Sequence, residues 1–379
     1  MDLKAKIRKE FFERFGEQGT VYASAGRINL IGEHTDYNGG FVFPGAIDKV
    51  IMAELRANGT DRVRVYSIDL KQSAEFGLNE ADAPEQSWAR YIFGVCREII
   101  KRGGTVHGFD AVFGGNVPLG AGLSSSAALE SCFAFALNDM FNDNAIDHFE
   151  LARIGQSTEH NYCGVNCGIM DQFASVFGRK GNLMRLDCRS MEYEYFPFAP
   201  KHHRLVLVDS RVKHELKDSP YNKRRESCER VAKRLGIATL RDADMEALNA
   251  VKSDITAEDY MRAKFVIEEK ERVLAVCDAL QRGDYDTVGR KMYETHEGLS
   301  HDYEVSCEEL DTLVDIAREN GVTGSRIMGG GFGGCTINLV PDELHDKFIA
   351  NAVSAFKARY GHEPKVYDVI ISDGARKVE

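Results

Sequence analysis

Residues 114–130, GGNVPLGAGLSSSAALE, set a glycine-rich turn and three consecutive serines directly before an apolar, Ala-rich stretch. A flexible Gly-rich segment that opens a helix presents several unpaired N–H groups in one direction, and the helix dipole adds partial positive charge there. Gly120 and Gly122 let the backbone approach a ligand closely, while Ser124, Ser125 and Ser126 can cap the helix or hand a hydroxyl to a metal. This is phosphate-binding chemistry. A capped helix after a tight turn is the competing reading, and the stretch alone divides the two evenly. No GKS or GKT occurs, so there is no Walker A loop, and HRD and DFG are also missing. Residues 329–334, GGGFGG, satisfy GxGxxG in form, but the strand-like run CTINLV follows them where a dinucleotide fingerprint needs a helix. A close approach of backbone to ligand, or to another chain segment, is the better reading there.

Two further constellations carry titratable groups. In GRINLIGEHTDYNGG (26–40), Glu33, His34 and Asp36 share one turn between apolar runs, suited to bidentate hydrogen bonding of vicinal hydroxyls. A solvated acidic turn explains them as well. Arg27 lies in the apolar run just before and needs a partner, a buried carboxylate or a phosphate. In STEHNYCGVNCGIMDQFASVFG (157–178), Glu159 is a candidate metal ligand, and Asp171 follows an apolar GIM that reads as interior. A buried Asp wants a positive neighbour, which Arg27 can supply; a helix N-cap before QFASVF is the alternative. Cys163 and Cys167 have a CxxxC spacing with no second pair to complete a zinc site.

Elements must hold these groups in place. YASAGRINLIG, GFVFPGAI and KVIMAEL read as strands, and the Asn-Gly of EHTDYNGG as a turn between them. PEQSWARYIFGVCREIIKRGG reads as a helix with Trp88, Tyr91, Ile92, Val95 and Ile99 on one face. HGFDAVFGGNVPLG is a strand feeding the serine loop, and helical patterns follow over 124–141 and 147–162. Beyond about 190, strand-like EYEYFPFAP and HRLVLVDS precede a charged, helical stretch over 218–320 and a final strand VYDVIIS. The expectation is an α+β fold of two tightly packed domains, 1–190 and 191–379.

The whole chain restricts the function classes. Its 379 residues suit two domains, and 43% hydrophobic and 28% charged residues are ordinary for a soluble globular protein. A formal charge of −11 without a basic stripe argues against nucleic acid. Nine scattered cysteines read as free thiols in a reducing compartment. MDLKAKIRKEFFERFGEQ is an amphipathic helix with Leu3, Ile7, Phe11, Phe12 and Phe15 at helical spacing, unlike a signal peptide. No run reaches the ~18 apolar residues of a membrane span. The expected location is cytoplasmic.

Together the blocks carry a resemblance. GRINLIGEHTDYNGG is similar to the signature of the galactokinases, a branch of the GHMP small-molecule kinase family, and PLGAGLSSSAALE resembles that family's ATP loop. MGGGFGGC resembles its third motif, and CGIMDQF and DSRVKHELKDSPYNKRRESCE (209–229) resemble further galactokinase blocks. The likeness runs from about residue 20 to beyond 340. It implies two α+β domains with the active site between them, and phosphoryl transfer from ATP to the C1 hydroxyl of galactose, the first committed step of galactose catabolism. Asp171 is then the base that takes the anomeric hydroxyl's proton. Arg27 holds Asp171 ionised and stabilises the transferring phosphoryl. Glu33, His34, Thr35, Asp36, Gly168, Asp171 and Tyr221 line the sugar pocket. Gly120, Ala121, Gly122, Leu123, Ser124, Ser125 and Ser126 wrap the phosphates, with Ser126 and Glu159 on Mg²⁺. Trp88 and Tyr91 flank the adenine, although a packed helix face explains them equally well. The cluster Lys223, Arg224, Arg225 reads as a solvated helix face. The implied partners are small molecules alone, galactose and ATP, bound by a monomer. A related sugar such as N-acetylgalactosamine or arabinose is the alternative substrate, and a non-catalytic galactose/ATP sensor the alternative class. HTDYNGG favours galactose, and the complete SSSAA segment favours the enzyme.

Overall fold

The computed structural model describes residues 2–118, 120–212 and 221–378. Strand β1 (Thr20–Asn29) is buried almost end to end, which explains why YASAGRIN shows no polar alternation: both faces of the strand are covered. It pairs antiparallel with the long β3 (Pro44–Ala57). The sheet continues through β6 (Phe109–Gly115) and β4 (Arg62–Ser67) to β5 (Gln72–Gly77). Helix α1 (Leu3–Phe15) packs Ile7 and Phe11 against Val112 on one face of this sheet. Phe12 turns away to solvent, because a helix carries adjacent positions about 100° apart. On the other face lie α3 (Ser125–Phe141) and α5 (Met170–Phe177), with α2 (Ser87–Lys101) and α4 (His148–Thr158) packed on α3.

The register of β1 against β3 slips between Ala25 and Arg27, a bulge centred on Gly26. A Cβ at Gly26 would lie 2.8 Å from the Leu123 carbonyl oxygen, so only glycine lets the strand come this close to the serine loop. The neighbouring Arg27 amide donates to that same carbonyl at 3.2 Å. The bulge thereby fastens the loop to the sheet and turns the Arg27 side chain toward it.

In the second half, β9 (His203–Asp209), β10 (Gly324–Ile327), β11 (Cys335–Pro341) and β12 (Lys365–Val369) form an antiparallel sheet of order β10-β11-β9-β12. Helices α10 (Glu308–Glu319) and α11 (His345–Tyr360) cover one of its faces, burying Leu313, Phe348 and Phe356 on Val206 and Val208. A helical layer, α6 (Tyr221–Leu235), α7 (Met245–Ala250) and α8 (Ala257–Gln281), has its own core around Phe265 and Tyr303, and α9 (Tyr285–Glu297) packs between α8 and β10. A three-stranded sheet joins β2 (Phe41–Val42), β7 (Asn182–Asp187) and β8 (Tyr193–Pro197).

The expected cut near 190 falls inside the tight turn between β7 and β8, where the Met191 amide bonds the Asp187 carbonyl at 2.8 Å. The last strand, β13 (Arg376–Lys377), returns to pair with β1. One hydrophobic cluster runs from Tyr22 to Ile371 through both halves. The C-terminal strand and this cluster thus tie the end of the chain to its first sheet, and residue 190 lies in a hairpin. No helix among the described residues is long and apolar enough to cross a membrane.

Candidate active site

A cavity of about 590 Å³ opens between the first sheet's helices and the glycine-rich loop after β10. At its centre is Asp171. The Arg27 Nε donates to Asp171 Oδ1 at 2.8 Å, and the Ser124 hydroxyl donates to Oδ2 at 2.6 Å. Both carboxylate oxygens are thus held, one from the sheet and one from the serine loop, while the side chain keeps 30% of its surface exposed to the cavity. Asp171 is no helix cap. It sits inside the first turn of α5, whose N-cap is Ile169, with no side-chain cap bond. The helix dipole there favours negative charge.

Arg27 itself is 3% exposed, and its Nη1 donates to the Gly122 carbonyl at 2.5 Å. Burial opposes its charge, while Asp171 and then Glu33 favour it. Ser124 occupies the cap position of α3 with φ +56° and makes no cap bond. A non-glycine residue in the left-handed region costs on the order of 1–3 kcal/mol. Its short bond to Asp171 offsets part of that cost, so the hydroxyl expected to cap the helix orients a carboxylate instead.

Gly120, Gly122, Leu123, Ser124, Ser125 and Ser126 all line the cavity. Ala121 does not; it is buried in the core. Gly120 and Gly122 take φ of +73° and +74°, the conformation for which the loop needs glycine. The second glycine-rich loop packs face to face with the first: a Cβ at Gly334 would meet the Ala121 carbonyl at 3.3 Å. The close approach expected of GGGFGG is thus to chain as well as to the cavity, which Gly329, Gly330 and Gly331 also line.

The acidic turn enters from the side. Asp36 accepts from the Tyr37 amide at 2.9 Å, and burial, then the charges of Asp171 and Glu33, push its carboxyl up to about 7. A Cβ at Gly168 would lie 1.8 Å from Asp36 Oδ2, so the missing side chain at 168 is what gives Asp36 its place. Glu33 lines the cavity too, but its Oε1 already accepts from Arg326 Nη2 at 3.1 Å and the Gly329 amide at 2.8 Å. His34 is buried beside Tyr221, their rings 5.5 Å apart. Burial pushes the His34 pKa down to about 3, leaving the ring neutral. Thr35 stands apart from this group. It is fully buried, and its hydroxyl donates to the Gly32 and Phe41 carbonyls at 3.0 and 2.6 Å, closing the turn rather than facing the cavity.

On the far side the Ser126 hydroxyl reaches Glu159, which ends α4. Burial raises the Glu159 carboxyl to about 7, Ser126 works against that, and Asp171 adds to it. Trp88 and Tyr91 line the adjoining wall, with the indole N–H on Gln72 Oε1 at 2.9 Å. Tyr221 opens α6 and reaches the cavity; of the block at 209–229, residues 213–220 lie outside the described residues. Arg224, expected on a solvated helix face, is buried, its guanidinium on the Tyr303 carbonyl at 2.7 Å.

Two groups at the site went unforeseen. Arg326 is fully buried and binds the carbonyls of Leu30 and Ile327 at 3.0 and 2.6 Å as well as Glu33. An Arg inside the apolar run RIM before a glycine loop was its sequence signal, the same argument that singles out Arg27. Tyr303, behind His34, had no local signal.

Residues 90–179 match the family described as GHMP kinases N terminal domain, and 277–359 match GHMP kinases C terminal. Residues 9–57 match the galactokinase galactose-binding signature. The chain is 41% identical over 354 residues to a galactokinase of Thermotoga petrophila, covering 93% of this chain and 98% of that protein. It is 38% identical over 382 residues to a galactokinase of Clostridium acetobutylicum, covering 98% and 97%. The crystal structure of Lactococcus lactis galactokinase complexed with galactose superposes with a TM-score of 0.94 at 32% identity, over 99% of this chain and 100% of that one.

Proposed function

The chain belongs to the galactokinases of the GHMP kinase family and is an ATP-dependent sugar kinase, and we propose how its own residues carry the γ-phosphoryl of ATP to the C1 hydroxyl of D-galactose. The observation that carries this reading is the convergence on one carboxylate: Asp171 joins Arg27 of the sugar-signature strand to Ser124 of the serine loop. Asp171 orients the anomeric hydroxyl and takes its proton as the new O–P bond forms. Arg27 holds the carboxylate and offers positive charge beside the transferring phosphoryl. Asp36 accepts hydrogen bonds from sugar hydroxyls, and Gly168 leaves it room to do so. The amides of the serine loop at the start of α3 receive the phosphates. Trp88 and Tyr91 form the wall for the base.

Ser126 and Glu159 suit Mg²⁺. They are two adjacent hard oxygen donors, and burial together with the Asp171 charge disfavours the Glu159 carboxylate, a cost that a divalent cation would offset. Mg²⁺ keeps several waters and is usually held by one or two carboxylates together with substrate phosphates, so this pair is a sufficient protein share of such a site. When bound it neutralises phosphate charge.

Asp36 makes sugar binding pH-dependent. Its raised pKa means that the carboxylate, the form that accepts from hydroxyls, is complete only above about 7. We expect the galactose Kd to be lowest near pH 8 and to rise, approaching tenfold per unit, as pH falls below 7. The stability term has the opposite sign. Folded Asp36 titrates above its unfolded value of 3.8, so its contribution is complete below that value and lost as pH rises through about 7. Asp36→Asn should therefore melt no lower than wild type at pH 8, while its weakened galactose binding loses most of this pH dependence. Calorimetric titrations and melts at pH 6, 7 and 8 decide it; equal pH slopes for wild type and variant would reject the assignment.

The reaction is tested by coupled ADP release from purified protein with galactose or glucose. A site built to bond particular hydroxyls leaves buried groups unpaired when one points elsewhere. We expect at least ~100-fold lower kcat/KM for glucose. Comparable efficiency for both sugars would show that the turn at 33–36 reads something else.

A further inference from the structure

Behind His34 runs a buried file of hydrogen-bonding groups that phosphoryl transfer does not use. His34 Nδ1 lies 2.8 Å from the Tyr37 hydroxyl, which lies 2.8 Å from the Tyr303 hydroxyl, which lies 3.4 Å from Cys228 Sγ. His34, Tyr303 and Cys228 are all buried. The file begins in the acidic turn and ends on α6 in the second half of the chain. At its open end, His34 Nε2 is buried against the cavity with no hydrogen-bond partner among the described residues. The Gly330 backbone nearby favours a proton on the ring, yet no bond of normal geometry closes to Nε2.

A neutral imidazole has one N–H, so the ring is either a donor or an acceptor toward the cavity. The file decides which. Each phenol carries one proton and sits between two partners, so all the protons point one way along it. In one direction Tyr37 donates to Nδ1, Tyr303 donates to Tyr37, and the thiol donates to Tyr303. In the other, Nδ1–H donates to Tyr37 and the file ends on sulfur, a weak acceptor. The first direction pairs the better donor, a phenol, with the better acceptor, an imidazole nitrogen. Burial pushes the Cys228 thiol up to about 11, so at neutral pH it holds a proton that it can donate.

We propose that Cys228, Tyr303 and Tyr37 lock His34 as its Nε2–H tautomer, making the ring a fixed donor to a hydroxyl or ring oxygen of the sugar, with Tyr37 and Tyr303 as positioning residues for substrate selection. The proposal rests on the reading of this cavity as a sugar site. A wrong tautomer would place a lone pair where a donor is needed, and a sugar hydroxyl would have to reverse its own bonding to suit it. The Asn38 amide also bonds the His34 carbonyl at 2.9 Å and so holds the backbone at φ +61°. Ring position and ring tautomer are then set by two separate devices.

The test is a long-range ¹H–¹⁵N correlation spectrum of histidine-labelled, ligand-free protein at pH 7.5, with His34 assigned by the signal missing from His34→Gln. Wild type should show the Nε2–H pattern alone. Tyr37→Phe should give mixed tautomers, and Tyr303→Phe a partial mixture. Both should raise galactose KM about 3- to 10-fold, the range expected for one hydrogen bond, while ATP KM stays within error and Tm falls modestly because buried partners are left behind. An Nδ1–H pattern in wild type would overturn the proposal, as would an unchanged pattern in Tyr37→Phe. So would sugar and ATP KM rising together, the mark of a packing role. If either variant fails to fold, the wild-type spectrum still decides. Because no sugar is present, the tautomer result stands apart from whether galactose is the substrate.

Discussion

Asp171→Asn should lower kcat by ~10²–10⁴-fold while galactose and ATP still bind, the range typical of losing a general base. The ground-state geometry predicts why the fold survives. The amide oxygen can face Arg27 Nε, and its NH₂ can donate to Ser124, whose hydroxyl accepts as readily as it donates. Neither wild-type bond needs to be left empty. What the amide cannot do is take a proton. Were the residue only a member of the first turn of α5, Asn would be nearly silent, since the two differ little in helix propensity. Single-turnover and steady-state kcat, with Tm as a control, separate these cases. A variant keeping more than about half of wild-type kcat would remove Asp171 from the role of base.

Arg27→Ala should cut kcat by ~10²–10³-fold, the scale of removing one preorganised donor from a developing charge. Two bonds are lost at once: the one to Asp171 at 2.8 Å and the one to the Gly122 carbonyl at 2.5 Å. The first frees the carboxylate, and the second frees the serine loop at the point where the bulge at Gly26 fastens it. Tm should fall as well, because the side chain is only 4% exposed and its partners stay behind. Arg27→Lys should recover little, since one ammonium cannot span both acceptors as the guanidinium fork does. Asp171 and Arg27 act as a unit, so the double variant should be little worse than the poorer single. Full multiplication of the two losses in kcat would show that they work independently.

Much of this molecule is decided by local sequence. The strands at 20–29 and 41–57 and the helices beginning at 87, 125 and 148 follow from apolar spacing and turn residues, signals that act within a few positions along the chain. The glycines at 120 and 122 announce a loop with positive φ, and the charged groups in apolar surroundings, Arg27 and Asp171, announce each other. The partnerships that complete the site are long-range. Ser124 belongs to a helix start that reads as capped, and only the packing of α5 against α3 brings in the carboxylate that claims its hydroxyl. Glu33 reads as a free acid until Arg326, from the far half of the chain, occupies it. Thr35 and Ala121 sit among lining residues in sequence and point the other way in space, because successive side chains in a tight turn diverge. Gly168 owes its need for a bare Cα to Asp36. For Ser124, Glu33 and Gly168 the deciding partner is remote in sequence and chosen by packing, so no pattern confined to one segment could have named it.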